Sequence, residues 1–232
     1  MARKKIVFVI VEGPSEEDAL GAVLNRVFDT NLVHLEVCHC DLTSKRGTTA
    51  DNICSRVCQV VKDYAKENRF KSEDFQQIIH LIDTDGTYIT PDHITLNPEA
   101  EDPVYTTTTI ETKNPAGIAY RNQMKGEAMD RLASTSSMWN VPYRAYYMSC
   151  NLDHVLYNKL NTTDEEKEAD ALTFASFFKN DPDGFVSYIC DSDFSVMMDY
   201  RESWKFIRDH SLERYTNFGL ALPRNPATNI NP

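Results

Sequence analysis

The alternation of strand-like and helix-like segments in the first third of the chain constrains its fold most strongly. Residues 6–11 form a continuous β-branched and aromatic run, which is typical of a strand covered on both faces. "GPS" ends this run, and Ser15 can cap the helical pattern that follows. Further strand-like segments lie near residues 32–40 and 75–83, with another helical pattern between them. This alternation predicts a mostly parallel sheet with crossover helices.

The regular pattern stops after this point. Residues 86–116 are rich in Pro, Thr and acidic residues, and we predict an irregular insertion with a hairpin at "PVYTTTTIET". A helix over about 117–134, a strand at "PYRAYYMS" and a helix at "NLDHVLYNKL" follow. We therefore predict an α/β domain over residues 1–160 and a helical C-terminal extension over 161–232 that packs on the core. Dimerisation, partner docking and a lid over the site are all open roles for this extension.

Carboxylates lie where three of the four predicted strands end. Glu12 follows the first strand, Asp83 and Asp85 end the third in "DTDG", and Asp153 lies in the first turn after the fourth. The carboxyl ends of parallel strands gather functional groups at one edge of a sheet. In extended backbone, Asp83 and Asp85 would project to the same side. A divalent cation such as Mg²⁺ would relieve their repulsion, so we predict a metal site for phosphodiester chemistry.

Each of these carboxylates also has a structural interpretation when taken alone. "DTDG" is a common turn sequence, Glu12 could interact with a helix dipole, and Asp153 could cap a helix. The conjunction of all three elements favours the metal site.

The chain carries a net charge of −11, which disfavours non-specific phosphate binding by the bare protein. Basic groups near the predicted edge could still contact a phosphate, although a solvated surface charge is the favoured interpretation for each Lys and Arg among them. His154 could in addition assist proton transfer. These candidates are Lys45, Arg46, Arg121, Lys125 and His154.

Six cysteines are expected to be reduced thiols in a chain of this size. Cys38, Cys40, Cys54 and Cys58, with His34 and His39 nearby, allow a zinc site to be considered. The usual CxxC spacing is missing, so buried thiols that fill core space are the favoured interpretation.

No window approaches the roughly 18 consecutive apolar residues of a membrane helix. "MARKK" followed by "IVFVIV" is similar to a signal peptide, but the apolar run is too short and Glu12 replaces a small-residue cleavage site. We predict a soluble cytoplasmic protein without membrane partners.

"IVFVIVEGPSEEDAL" together with "IIHLIDTDG" resembles the TOPRIM fold of topoisomerases, bacterial primases and OLD-family nucleases. The family has a hydrophobic strand followed by Glu-Gly and a helix, and later a hydrophobic strand that ends in DxD. "MSCNLDHVL" resembles a third family element, with Asp153 in the place of a Glu. The resemblance covers roughly residues 5–160 and is closest to OLD-type and RloB-like stand-alone proteins of restriction and phage-defence loci.

This resemblance implies a Rossmann-like fold and Mg²⁺- or Mn²⁺-assisted phosphoryl transfer at a nucleic acid backbone. Glu12 would be a metal ligand or general base, and Asp83 and Asp85 would be metal ligands. Asp153 would help to hold a second metal, although its side chain is shorter than the family's Glu. Topoisomerases and primases need additional domains, so a small nuclease acting on DNA, RNA or tRNA is the favoured activity. Its expected role is that of an effector in anti-phage defence by abortive infection.

Two alternatives stay open. The chain could be a toxin or sensor subunit that acts with an ABC-type ATPase, which would be a separate chain because GxxxxGK[ST] is missing from this sequence. It could also be a TOPRIM scaffold that binds metal or nucleotide without catalysis. Homo-oligomerisation stays open for each of these roles. Its acidic charge favours dependence on a partner over autonomous DNA binding.

Overall fold

A computed structural model describes residues 4–29 and 33–223. The strands in these residues are β1 (Lys5–Val11), β2 (Val33–His39), β3 (Phe75–Asp83), β4 (Ile94–Leu96), β5 (Val104–Tyr105), β6 (Ile110–Thr112), β7 (Ser137–Met138) and β8 (Val141–Met148). The α-helices are α1 (Pro14–Val27), α2 (Ile53–Glu67), α3 (Pro115–Ser134), α4 (Leu152–Tyr157), α5 (Asp164–Phe178), α6 (Pro182–Asp191) and α7 (Tyr200–Asp209).

The main sheet has the strand order β2-β1-β3-β8-β7, and all its pairs are parallel except β7 with β8. The predicted α/β class with a mostly parallel sheet is therefore confirmed. The register aligns Val11 with His39 and Asp83 with Met148. Because the carboxyl ends of β1, β2, β3 and β8 lie at one edge, the residues that follow these strands are brought together.

Both faces of the sheet are covered, as predicted for β1. Val7, Val9 and Val11 pack on one face with residues of α1, α4, α5 and α6. The alternate residues of β1 pack on the other face with α2, α3 and Trp204 of α7. This alternation follows from the two-residue period of a strand. The helices after residue 160 thus contribute to the cores on both faces.

Helix α1 begins one residue before the predicted cap. Gly13 is the N-cap and Pro14 occupies the first helical position, so the expectation that Ser15 caps the helix is wrong. Proline is suited to this position because its fixed φ is helical and its missing N–H would have no partner there. The helix start places Glu16 in the first turn, beside the end of β1.

The insertion over residues 86–116 contains a small sheet of order β4-β6-β5, and β5 with β6 forms the predicted antiparallel hairpin. Asn161 holds this insertion by a pair of hydrogen bonds. The backbone N–H of Tyr105 donates to Asn161 Oδ1 over 2.8 Å, and Asn161 Nδ2 donates to the Tyr105 carbonyl over 2.8 Å. The segment before α5 is thereby attached to the edge of β5.

None of the helices in residues 4–29 and 33–223 has the length and apolar character needed to cross a membrane.

Candidate active site at the carboxyl edge of the sheet

Glu12 lies directly after β1 on the α3 side of the sheet edge, and its side chain is 10% exposed. Thr43 Oγ1, in the loop between β2 and α2, donates a hydrogen bond of 2.5 Å to Glu12 Oε1. Burial raises the pKa of the Glu12 carboxyl to about 7; nearby Lys125 lowers it and Asp85 raises it. A carboxyl with this pKa can exchange a proton near neutral pH.

Asp83 is the last residue of β3. Its pKa is raised well above the usual value, first by burial and then by the charges of Glu16, Glu12 and Asp85. No hydrogen bond among the described residues reaches its carboxylate. A second positive charge at this position would therefore be favourable.

Asp85 does not continue the extended backbone of Asp83. Its φ is +48°, and Gly86 follows at +64°, so the chain turns at once. The prediction that the two aspartates project alike from an extended strand is wrong for this reason. The backbone N–H groups of Thr84 and Asp85 donate to the carbonyls of Met148 and Cys150 over 2.9 and 2.8 Å. These bonds fix the turn against the end of β8.

Lys125 of α3 extends into the carboxylates, and its side chain is 1% exposed. Its Nζ lies 2.5 Å from Asp85 Oδ2, 3.6 Å from Glu12 Oε2 and 3.0 Å from Ser44 Oγ. Burial alone would lower the pKa of Lys125, but Asp85 and Glu12 raise it above its usual value. Lys125 is therefore a buried cation, and the alternative of a solvated surface charge is wrong.

Glu16 adds a further carboxylate to the site, beyond those predicted from the sequence. Its Oε2 atom is buried and has no hydrogen-bond partner among the described residues. Burial raises the pKa of the Glu16 carboxyl, the backbone N–H groups of Glu16 and Gly13 lower it, and the nearby charge of Asp153 raises it. Glu16 thus connects Asp83 electrostatically with Asp153.

Asp153 lies in the first turn of α4 and is 6% exposed. Thr162 Oγ1 donates a 2.9 Å hydrogen bond to its Oδ2. The cap of α4 is Asn151, which accepts from the His154 N–H over 2.8 Å, so the alternative that Asp153 caps this helix is wrong. Burial raises the pKa of Asp153, and the hydrogen bond from Thr162 opposes this.

The other basic candidates differ in exposure. His154 is 2% exposed and its Nδ1 lies 3.2 Å from the Ser149 carbonyl, so its ring is buried against the backbone that follows β8. Arg121 donates to the Asp85 carbonyl over 2.8 Å and to Tyr105 Oη over 3.0 Å, which supports the turn after β3. Lys45 and Arg46 are exposed in the loop that carries Thr43 and Ser44.

No three His, Cys, Asp or Glu side chains of residues 4–29 and 33–223 are arranged to hold a metal ion together. The cysteines and histidines considered for zinc therefore do not form a metal site in this structure, and neither do three of the carboxylates at the sheet edge. At the edge, Lys125 already contacts Asp85 and Glu12. The donor type nevertheless fits Mg²⁺ or Mn²⁺, because carboxylate oxygens are their usual ligands and Glu16 offers a buried oxygen without a partner.

No family model, curated protein or solved structure matches this chain.

Four site residues were missed because their roles depend on tertiary packing. Glu16 has a usable signal, since it follows Glu12 by four residues at a strand-to-helix junction. Thr43, Ser44 and Thr162 lie in loops, and no spacing relates them to the carboxylates in the sequence.

Proposed function

We propose that this protein is a metal-dependent nuclease that hydrolyses phosphodiester bonds at the carboxyl edge of its parallel sheet. One observation carries the proposal. Among the residues that the structure describes, the charges of Glu12, Glu16 and Asp85 act on the carboxylate of Asp83, and the buried ammonium of Lys125 contacts Glu12 and Asp85. The excess negative charge at a functional edge is typical of a site that takes a divalent cation and a phosphate.

Mg²⁺ or Mn²⁺ would be held by Glu16 and Asp83, with Asp153 adjoining through Glu16. The raised pKa values of Glu16 and Asp83 support this, because both shifts come from burial and from neighbouring carboxylates. A bound divalent ion would neutralise the carboxylates and polarise the phosphate. Asp85, which contacts Lys125, would position that ammonium rather than the ion.

One of the two proton transfers can be assigned to a side chain of the protein. In hydrolysis, a water oxygen forms a bond to phosphorus while the bond from phosphorus to one ester oxygen breaks. Glu12 is suited to accept the proton from the water, because its pKa is about 7. The departing ester oxygen takes its proton from solvent. Lys125 offsets the negative charge that develops on the phosphoryl oxygens.

We assign the fold to the TOPRIM class within this proposal. The strand order β2-β1-β3-β8 supports the assignment, as do a Glu after β1 and a DxD at the end of β3. The resemblance to OLD-type and RloB-like proteins suggests an effector of anti-phage defence in the cytoplasm. Its substrate would be DNA or RNA, including tRNA, and a separate ABC-type ATPase is a candidate partner.

A cleavage assay tests the proposal. The purified chain is incubated with plasmid DNA, single-stranded DNA and total tRNA in Mg²⁺, in Mn²⁺ and in chelator, with and without extract of a phage-infected host. We expect metal-dependent cleavage of at least one substrate. Glu12→Gln and Asp83→Asn should reduce it at least ~100-fold, because each removes a proton acceptor or a metal ligand.

Two exposed carboxylates supply matched controls. Asp164 and Glu202 lie on α5 and α7, and Asp164→Asn and Glu202→Gln should cleave like the wild type. Cleavage that persists in chelator, or that survives both site substitutions, would refute the assignment. Cleavage that requires the extract would show dependence on a partner or trigger.

A further inference from the structure

A cavity of about 360 Å³ lies between the insertion over residues 86–116 and the end of α7. This volume is within the range of roughly 300 to 1,000 Å³ that is usual for ligand-binding cavities in proteins. The side chains in its lining that can recognise a ligand by charge or by stacking include those of Tyr88, His93, Arg208 and His210. None of these side chains has a role in the cleavage proposed above.

The cavity adjoins the proposed active site through Tyr88. This residue lies three positions after Asp85, in the segment that turns away from β3. Its Cε1 atom also lies 3.7 Å from where a Cβ atom of Gly126 would be, and Gly126 directly follows Lys125 in α3. A ligand in the cavity would therefore be a close neighbour of a phosphate at the sheet edge.

Asp130 of α3 fixes two of the lining side chains. Tyr88 Oη donates to Asp130 Oδ1 over 2.9 Å, and Arg208 Nη2 donates to the same oxygen over 2.7 Å. The centre of the Arg208 guanidinium lies 5.3 Å from the centre of the Tyr88 ring. Arg208 is 48% exposed, so its remaining N–H groups are accessible. Proteins that bind single-stranded nucleic acid use aromatic rings for the bases and guanidinium groups for the phosphates.

Two histidine rings are oriented by a hydrogen bond at one nitrogen each. His93 Nδ1 lies 2.7 Å from the Thr108 carbonyl, and His210 Nδ1 lies 2.9 Å from Glu213 Oε1. Both partners are acceptors, so each Nδ1 carries the hydrogen. Within the part of the chain that the structure describes, neither Nε2 atom has a hydrogen-bond partner. The two rings thus each keep one nitrogen for a ligand.

We propose that this cavity binds one unpaired nucleotide of the substrate strand, next to the phosphodiester bond that is cleaved. This inference rests on the proposed nuclease function and specifies its substrate as single-stranded nucleic acid. The base would stack on the aromatic side chains, and Arg208 would contact a phosphate. A base inside a duplex would first have to leave its stack, which costs a few kcal/mol and disfavours double-stranded substrates.

Charge favours this side of the insertion over the other. The groove on the β5 side is lined by one lysine and three acidic residues, namely Lys167, Glu99, Glu101 and Asp102. An excess of carboxylates repels a phosphate backbone. The cavity beside α7 has the acidic lining residues Asp209 and Glu213, and Glu213 pairs with His210. With Arg208 and His93 also in its lining, this cavity is the better path for the strand.

Fluorescence anisotropy measures the binding of a labelled single strand and of its duplex, as DNA and as RNA, to the full chain. Ca²⁺ replaces Mg²⁺ to slow cleavage. We expect the single strand to bind at least ~10-fold more tightly than the duplex, and Arg208→Gln and His93→Gln each to weaken its binding about 5- to 10-fold. Arg201→Gln and His34→Gln are the matched controls; both residues are exposed, on α7 and β2, and these variants should bind like the wild type.

Nuclear magnetic resonance of the histidine rings places the ligand. Addition of a single-stranded trinucleotide should shift the ring signals of His93 and His210 and leave those of His34 unchanged. Unchanged signals of both cavity rings would overturn the inference, as would wild-type affinity in both cavity variants or equal affinity for the single strand and the duplex. Arg208 and His93 are exposed on separate elements, so either variant decides the result if the other fails to fold.

These outcomes are distinguishable from failure of the proposed function. A wild-type chain that cleaves nucleic acid, with cavity variants that bind and cleave equally well, would refute the nucleotide site and leave the nuclease intact. A wild-type chain that binds the single strand through the cavity but cleaves nothing in Mg²⁺ or Mn²⁺ would refute the nuclease and leave the nucleotide site. A chain that neither binds nor cleaves would refute both.

Discussion

Glu16 shows at the residue scale how the site departs from an ordinary protein interior. A buried carboxylate oxygen without a hydrogen-bond partner is destabilising unless a ligand compensates for it. Glu16→Gln should therefore raise the free energy of unfolding of the metal-free protein by about 1 kcal/mol at pH 8. The same substitution should weaken Mn²⁺ binding at least ~10-fold, because a charged oxygen donor is lost.

Chemical denaturation and calorimetric titration measure both effects. Glu17→Gln is the matched control, since Glu17 lies in the same helical turn but is half-exposed and pairs with His39 Nδ1 at 2.5 Å. If the Glu16→Gln variant bound Mn²⁺ with wild-type affinity, Glu16 would not be a ligand of the ion.

The sequence was sufficient to predict that Glu12, Asp83, Asp85 and Asp153 follow strands or begin helices near one edge. It was not sufficient to predict that Lys125 is buried among them. Lys125 lies on a helix with other polar residues, and only the rotation of α3 against the sheet directs its side chain inwards. Such a rotation is a property of packing rather than of local spacing.

At the scale of elements, the turn after β3 depends on one glycine. Gly86 has φ +64°, and a Cβ there would lie 2.6 Å from Leu212 Cδ2 and 3.0 Å from Ile110 Cδ1. Gly86→Ala should lower the free energy of unfolding by about 2–4 kcal/mol, because it combines a left-handed φ with overpacking. It should also weaken cleavage, since Asp85 is the adjacent residue.

Gly21→Ala is the control for this prediction. Gly21 lies in α1, and a Cβ there meets no atom within 4 Å. This variant should gain up to about 1 kcal/mol from the higher helix propensity of alanine. Urea denaturation of both variants makes the comparison, and equal stability would contradict the role given to Gly86.

The predicted bounds were most accurate for long elements, in which the apolar pattern repeats several times. The strands ending at Asp83 and Met148 and the helix α3 were all predicted close to their observed bounds. The small β4-β6-β5 sheet was predicted only as one hairpin, because its strands have two or three residues each. Strands of two or three residues are too short to show an alternating apolar pattern in the sequence. Their position depends on tertiary hydrogen bonds, such as the one from the Tyr105 N–H to Asn161 Oδ1.

For the whole molecule, the raised carboxyl pKa values predict how stability depends on pH. The folded pKa of Glu12 is about 7, above its ordinary value of 4.5, and that of Asp83 is also raised. The folded state therefore holds more protons than the unfolded state, and stability falls as pH rises through this range. Burial lowers the pKa of His80 to about 3. This group therefore makes stability rise with pH, but only below about pH 6.5, the ordinary pKa of histidine.

The carboxyl effect should thus dominate between pH 6.5 and 8. In chelator, we expect the free energy of unfolding to fall by about 1–2 kcal/mol over this interval. Asp83→Asn should remove much of the fall, and Asp164→Asn should leave it unchanged. Urea denaturation at both pH values measures the difference, and a wild-type protein that gains stability towards pH 8 would contradict the prediction.

The central claim is that the carboxylates at the sheet edge hold a divalent cation, and thermal unfolding with and without Mn²⁺ tests it most directly. At an ion concentration 100-fold above the dissociation constant, binding stabilises the folded state by about 2.7 kcal/mol. We predict a clear rise in Tm for the wild type and for Asp164→Asn, and little or no rise for Asp83→Asn. A wild-type Tm that Mn²⁺ leaves unchanged, or an equal rise in Asp83→Asn, would contradict the account.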